Sequence, residues 1–228
     1  LSLIPNISRE KARNDLKEVN NKFNKTIILF FYIILPLSIF MSIFGSTIWN
    51  IFYGYNEYGV QIIKYSLLVA GIDALYIMIS NALQGMNKTK LIYTSVLTGL
   101  ITNAILDIPL MLLFSKLNIY PYYGAITATL IGYLISIIIP LVSLKKKDDF
   151  NYDDIKKILP KLLGTYTILI IICICYNYLI KNITNRIIDI FLLMFIGIIC
   201  LVIYYLFNKK EINAIIKKDK KDTGDIDD

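Results

Sequence analysis

Residues 64–90 read KYSLLVAGIDALYIMISNALQGMNKTK. Between Lys64 and Lys88 lie twenty-odd residues whose one charge is Asp73, long enough at 1.5 Å per residue to cross ~30 Å of hydrocarbon. A carboxylate halfway along such a span costs roughly 2.5–3.5 kcal/mol on insertion scales, so Asp73 is expected to face protein, water or substrate and not lipid. The span ends in a tight polar turn, Gln84-Gly85-Met86-Asn87-Lys88.

The rest of the chain repeats this pattern. Of 228 residues, 56% are hydrophobic and 18% charged, and the mean hydropathy is +0.60. The charges cluster between apolar runs, which predicts six transmembrane helices and an all-α integral membrane fold. A charge-free span covers 26–52, with Pro36 predicting a kink; the stretch quoted above is the second. Further spans are expected over 91–114, 122–144, 162–180 and 187–207. The chain begins at Leu1 without an initiator Met, and residues 1–5 resemble the tail of an earlier apolar segment, the expectation for part of a longer protein.

Residues 8–25 carry Arg9, Lys11, Arg13, Lys17, Lys22 and Lys25, with Ala12, Leu16, Val19 and Phe23 on one helical face. This predicts one amphipathic helix on the membrane surface, either a topology signal or an anionic-lipid site. Six spans alternate sides, which puts 20 Lys and Arg residues on one side and only Lys64, Lys116, Lys181 and Arg186 on the other. The basic side is expected to be cytoplasmic, with both ends of the chain there. Tyr53, Tyr55, Tyr58, Tyr120, Tyr122, Tyr123, Tyr176 and Tyr178 fall at the opposite boundary, as an interfacial aromatic belt or, for a few of them, as sugar-stacking rings.

With no histidine, triad chemistry is closed to this stretch. Cys173, Cys175 and Cys200 lie in apolar runs and are expected to pack as apolar groups. No metal site or cofactor is expected, and the net charge of +7 follows from topology without invoking nucleic acid. Residues 145–161, KKKDDFNYDDIKKILPK, read as a solvated loop between 26–144 and 162–207. Asp148, Asp149, Asp153 and Asp154 there invite comparison with magnesium-diphosphate sites, but the lysines beside them and the absence of a complete ligand motif favour a linker. Residues 208–228 read as a tail with a short surface helix and a disordered end.

Two polar stripes carry the candidate site. Ser66, Asp73, Ser80 and Gln84, with Tyr76 beside them, mark the second span, and Ser95, Gly99, Thr102, Asn103 and Asp107 mark the third. Helical rise places Asp73 ~13 Å and Asp107 ~10 Å from the sparsely charged end. Asp73, Asp107, Asn103, Ser80 and Gln84 are therefore candidates for a cavity binding a proton or cation. The alternative is helix packing, where Ser, Asn and Gly are common.

The opening residues Ser2-Leu3-Ile4-Pro5-Asn6-Ile7-Ser8, the basic helix, the span with Pro36, Phe52-Tyr53-Gly54 and the turn Asn81-Ala82-Leu83-Gln84-Gly85-Met86-Asn87-Lys88 resemble a known group. So does Tyr122-Tyr123-Gly124-Ala125-Ile126-Thr127-Ala128-Thr129. The group is the bacterial polysaccharide and lipid II flippases of the multidrug/oligosaccharidyl-lipid/polysaccharide superfamily, including the MurJ-like and stage V sporulation protein B-like exporters. The resemblance runs to about Lys147. It implies the C-terminal lobe plus two extra helices of a fourteen-helix transporter, with residues 1–8 ending an eighth span and the N-terminal lobe absent. It further implies alternating access, with a polyprenyl-diphosphate-linked saccharide as partner in the bacterial cytoplasmic membrane, and no bond chemistry. It assigns no role to Asp73 or Asp107. A drug/cation antiporter of the same superfamily, or a membrane-bound glycosyl- or phosphotransferase working through 145–161, are the competing expectations.

Overall fold

The computed structural model describes residues 3–54, 56–180 and 186–224, and every regular element among them is helical. Six stretches are long and apolar enough to cross a membrane: Leu16–Ile43, Glu57–Gly85, Thr89–Lys116, Tyr122–Lys147, Asp153–Tyr176 and Ile190–Lys209. The protein is an all-α, multi-pass membrane protein.

The basic N-terminal region is not one surface helix. Helix α1 (Leu3–Ala12) stops at Asn14, which takes a left-handed conformation (φ 57°). The Asp15 side chain then accepts from the Glu18 amide at 3.0 Å and starts α2 (Leu16–Leu29), which runs on into the first span. The predicted apolar face also points elsewhere. Val19 and Phe23 are buried against protein, beside Ile79, Leu83, Leu144 and Phe150, and the Phe23 and Phe150 rings meet edge-on at 5.6 Å. Leu16 alone of that face stays largely exposed among the three large side chains.

Pro36 acts through the turn before it. Residues Phe30–Ile34 form a π-helical turn leading into α3 (Leu35–Ile43). The Leu35 amide bonds to the Phe30 carbonyl, leaving the Phe31 carbonyl outside the helical ladder, and the Tyr166 hydroxyl donates to it. Pro36 has no amide for the Tyr32 carbonyl, so the wide turn and the proline together loosen one stretch of backbone. The first span then breaks at Phe44, and α4 (Gly45–Tyr53) is a separate short helix.

The turn after α5 (Glu57–Gly85) is a Schellman motif in which Asn87 supplies the left-handed residue (φ 57°). The Lys88 amide bonds to the Leu83 carbonyl and the Asn87 amide to that of Gln84, both at 2.9 Å. Gly85 serves a different purpose: a Cβ there would lie 3.0 Å from the Ile4 carbonyl oxygen and the Ile7 side chain. α1 crosses at this point, and the Ser8 hydroxyl donates to the Gly85 carbonyl at 3.1 Å.

Helices α6 (Thr89–Lys116) and α7 (Tyr122–Lys147) form the most intimate pair. Gly124, Ala128, Gly132 and Ser136, spaced by four, make a flat face that is buried throughout. Ser95 and Gly99 are the buried residues of α6, and the Ser136 hydroxyl bonds to the Ser95 carbonyl at 3.1 Å. α5 packs on α3 through Ser38 beside Gly71 and through the Ser42 hydroxyl, which donates to the Lys64 carbonyl at 2.6 Å. Helix α8 (Asp153–Ile180) begins within the expected loop, because α7 runs on through its three lysines and the Asn151 side chain accepts from the Asp153 amide. Only residues 148–152 connect them. The expected surface helix of the tail is continuous with the last span in α9 (Arg186–Gly224). Tyr55, residues 181–185 and the end of the tail, 225–228, lie outside the described residues.

Candidate functional site

Each carboxylate can be placed from its helix pairings. α5 and α7 run parallel, with Tyr65 against Tyr123 at 4.8 Å between ring centres and Tyr76 against Tyr133 at 6.1 Å. α6 runs antiparallel to α7, with Gly99 beside Gly132 and Leu110 beside Gly124. Asp73 is thus level with about Ile131 and Asp107 with about Thr127, a difference in depth of ~6 Å.

Similar depth does not make them partners. α5 and α6 touch each other little, and α7 packs on both, through neighbouring faces. Asp73 is half-buried, one turn from Tyr76, whose ring meets that of Tyr133 on α7. Asp107 is half-buried on the α6 side, and among the described residues no hydrogen bond or ion pair joins it to Asp73. Asn103 lies in the α6–α7 seam, where a Cβ on Gly132 would come within 3.1 Å of it. Ser95 and Gly99 are buried in that seam, and Asn103 flanks it half-exposed.

The stripe on α5 is different. Ser66, Ala70, Ile77 and Gln84 are exposed and Asp73 and Ser80 half-exposed along one face, which no other described span covers. Tyr133 was missed in the sequence, although a tyrosine in mid-span among aliphatic residues was the available signal.

Between the first span, α8 and α9 lies a groove of about 380 Å³ lined almost wholly by apolar surface, including Tyr32, Pro36, Phe40, Leu169 and Tyr204. The Tyr32 side chain is 3% exposed, and its hydroxyl is buried without a hydrogen-bond partner. Cys173 and Cys200 also line the groove, their Sγ atoms 3.6 Å apart as free thiols, a pairing the sequence reading did not anticipate. Cys175 is exposed.

The basic end is knitted by polar contacts. Lys88 pairs with Asp148 at 2.5 Å, Lys22 with Glu10 at 2.8 Å, and Lys161 with Glu211. The Asn24 side chain donates to the Asn151 carbonyl at 2.7 Å. Phe150 is buried, and burial together with the Asp148 carboxylate pushes the Tyr152 hydroxyl up to about 12 while it donates to the Leu141 carbonyl. Asp153 pairs with Lys156 at 3.3 Å. Among the described residues no group of three or more His, Cys, Asp or Glu could hold a metal ion. Residues 148–152 therefore serve as a clasp between helices.

A family model described as MatE matches residues 1–108, from α1 through most of α6. The match takes in 108 of the 228 residues, a little under half of the chain. The chain is similar to the lipid II flippase MurJ of Bacillus subtilis (strain 168), 28% identical over 156 residues, which cover 67% of this chain and 28% of that relative. The match thus spans little more than a quarter of the relative's length. No solved structure matches the chain.

Proposed function

We propose that this chain forms one side of an alternating-access flippase that carries a polyprenyl-diphosphate-linked saccharide across the bacterial cytoplasmic membrane. The basic end faces the cytoplasm, and the other lobe is supplied by residues outside this chain. The observation that carries the reading is the uncovered polar face of α5, where Asp73 and Ser80 lie at membrane depth between exposed Ser66 and Gln84. Such groups are too costly against lipid and fit a hydrated cavity shared with a second lobe. Similarity to a protein named as a lipid II flippase points the same way. The apolar groove beside α8 and α9 has the character needed by a hydrocarbon chain that stays in the bilayer while its headgroup crosses.

The test is translocation of a fluorescent polyprenyl-diphosphate saccharide in proteoliposomes containing the whole transporter. Asp73→Asn is expected to slow it by about tenfold, on the scale of one lost charge-assisted hydrogen bond. Wild-type rates would assign Asp73 to packing. A drug/cation antiporter is the second reading, favoured by a half-exposed carboxylate, Asp73, at mid-depth of α5. It predicts cation-driven uptake of a small lipophilic cation and no saccharide transport.

A further inference from the structure

The end opposite the basic clasp carries five tyrosine rings in unbroken contact. Tyr58 meets Tyr120 edge-on at 5.5 Å, Tyr120 stacks on Tyr122 at 5.5 Å, Tyr122 meets Tyr123 at 4.5 Å, and Tyr123 meets Tyr65 edge-on at 4.8 Å. The run starts on the surface, where Tyr58 is 57% and Tyr120 45% exposed. It ends in an open pocket of about 330 Å³ between α5, α6 and α7, walled by Tyr65, Phe114, Ile119, Tyr123, Ile126 and Thr127.

An interfacial belt does not account for this. Belt residues need only place each ring at headgroup depth with its face to lipid, which demands neither ring-to-ring contact nor a cavity between three spans. The cavity wall holds no charged residue, which disfavours an ion or a phosphate. It offers instead aromatic surface beside neutral hydrogen-bonding groups. The Tyr123 hydroxyl donates to the side-chain oxygen of Gln61, which flanks the pocket, at 3.2 Å, and Thr127 Oγ1, which donates to the Tyr123 carbonyl at 2.7 Å, keeps its acceptor capacity. A pyranose ring has the complementary make-up, with apolar C–H faces and a hydroxyl-bearing rim. The volume lies at the lower end of small-ligand pockets, roughly 300–1,000 Å³, suited to one sugar ring.

We propose that this cavity is a saccharide-binding site, taking one pyranose ring against Tyr65 and Tyr123 while further sugars of a chain follow Tyr122, Tyr120 and Tyr58 to the surface. Its identity as the place where a translocated headgroup lodges on leaving the cavity between lobes rests on the flippase reading; the binding itself does not.

The test is saturation-transfer NMR on the whole transporter in nanodiscs, with N-acetylglucosamine and its β-1,4-linked disaccharide as probes. Saturable binding is expected, tighter for the disaccharide. Tyr65→Leu/Tyr123→Leu should raise Kd by about tenfold or more, and Tyr123→Phe, which keeps the ring, by much less. Tyr178→Leu removes an exposed ring outside the run and should leave Kd unchanged, and circular dichroism checks that each variant is folded. Absence of saturable binding, or equal Kd in the double leucine variant, overturns the site. Should that leucine variant misfold, Thr127→Val and Gln61→Leu, which remove polar rim groups without touching the rings, carry the test: each should weaken binding, and unchanged Kd in both overturns the site. Failure of the flippase reading looks different, as normal sugar binding with no lipid translocation.

Discussion

Gly124 is where the structure is least able to absorb an extra atom. A Cβ at this position would lie 2.5 Å from the Leu110 carbonyl carbon and the Met111 nitrogen, backbone atoms in the middle of a helix. No rotamer change relieves such a clash, so Gly124→Ala must push α6 and α7 apart locally. Reaching ordinary contact at 3.4 Å requires roughly 0.9 Å, and a gap of 0.5–1 Å forfeits about a quarter to a half of the dispersion well of each pair along the seam. Overpacking costs about 1–3 kcal/mol, and opposed backbones put this site at the upper end. Better helix propensity returns up to ~1 kcal/mol, leaving a net loss of about 2 kcal/mol.

The control is Gly164, where nothing lies within 4 Å of an added Cβ. Gly164→Ala should gain up to ~1 kcal/mol from propensity alone. Both variants can be titrated with SDS in mixed micelles and followed by circular dichroism. α6 has Ser95 and Gly99 as its buried residues, so its hold on the protein depends on this seam. Equal stability of the two alanine variants would refute the close approach of α6 and α7.

Three further outcomes follow from local geometry. Asn87→Val should destabilise by ~1–2 kcal/mol in the same titration and Asn87→Gly should be near neutral, because the turn needs a left-handed residue; equal loss in both would place the role of Asn87 in its side chain. A double-mutant cycle on Lys88 and Asp148, whose side chains are only 25% and 17% exposed, should give a coupling of about 1 kcal/mol that weakens with salt, and zero coupling would make the clasp incidental. Treatment with diamide should join Cys173 to Cys200, the two thiols passing their hydrogens to the oxidant, while Cys175 stays available to maleimide after denaturation; three reactive thiols would mean that α8 and α9 do not meet as described.

The membrane fold was legible because a span must be apolar along its whole length, and 64–90 satisfies this without any knowledge of neighbours. Helix ends at the basic side were not, since Lys and Asp mark where a chain leaves the bilayer and say nothing of where its helix stops. α7 therefore runs on through Lys145–Lys147, and α9 through the start of the tail. Arg13-Asn14-Asp15 did contain the break, a left-handed asparagine followed by an N-capping aspartate, hidden by the apolar spacing running across it. Of the polar stripe on the third span, Ser95 and Gly99 are buried. What covers it was decided by Gly124, Ala128, Gly132 and Ser136, whose own four-residue spacing was the unused signal. The ring beside Tyr76 could not be read from α5 alone, because Tyr133 meets it only through the parallel register of α5 and α7.

The two ends of the protein are built differently, and the difference bears on how it could move. At the basic end Ser8 holds Gly85, Asn24 holds Asn151, and Lys88 holds Asp148, each bond joining segments far apart in sequence. Polar bonds of this kind are directional and tie several helices to one frame. At the tyrosine-rich end α4, α5 and α7 meet largely through rings and through Trp49 over Gly59, with one side-chain hydrogen bond, Tyr123 to Gln61, between α7 and α5. On the alternating-access reading, the basic ends of α1, α2, α5, α7 and α8 therefore travel as one body. Bending is left to the first span, at the π turn and Pro36, where the Phe31 carbonyl is held by Tyr166 of α8 and not by its own helix. That hydroxyl makes α8 the helix that senses any change in the turn, and it places the apolar groove, which Tyr166 also lines, beside the one segment of the span built to flex.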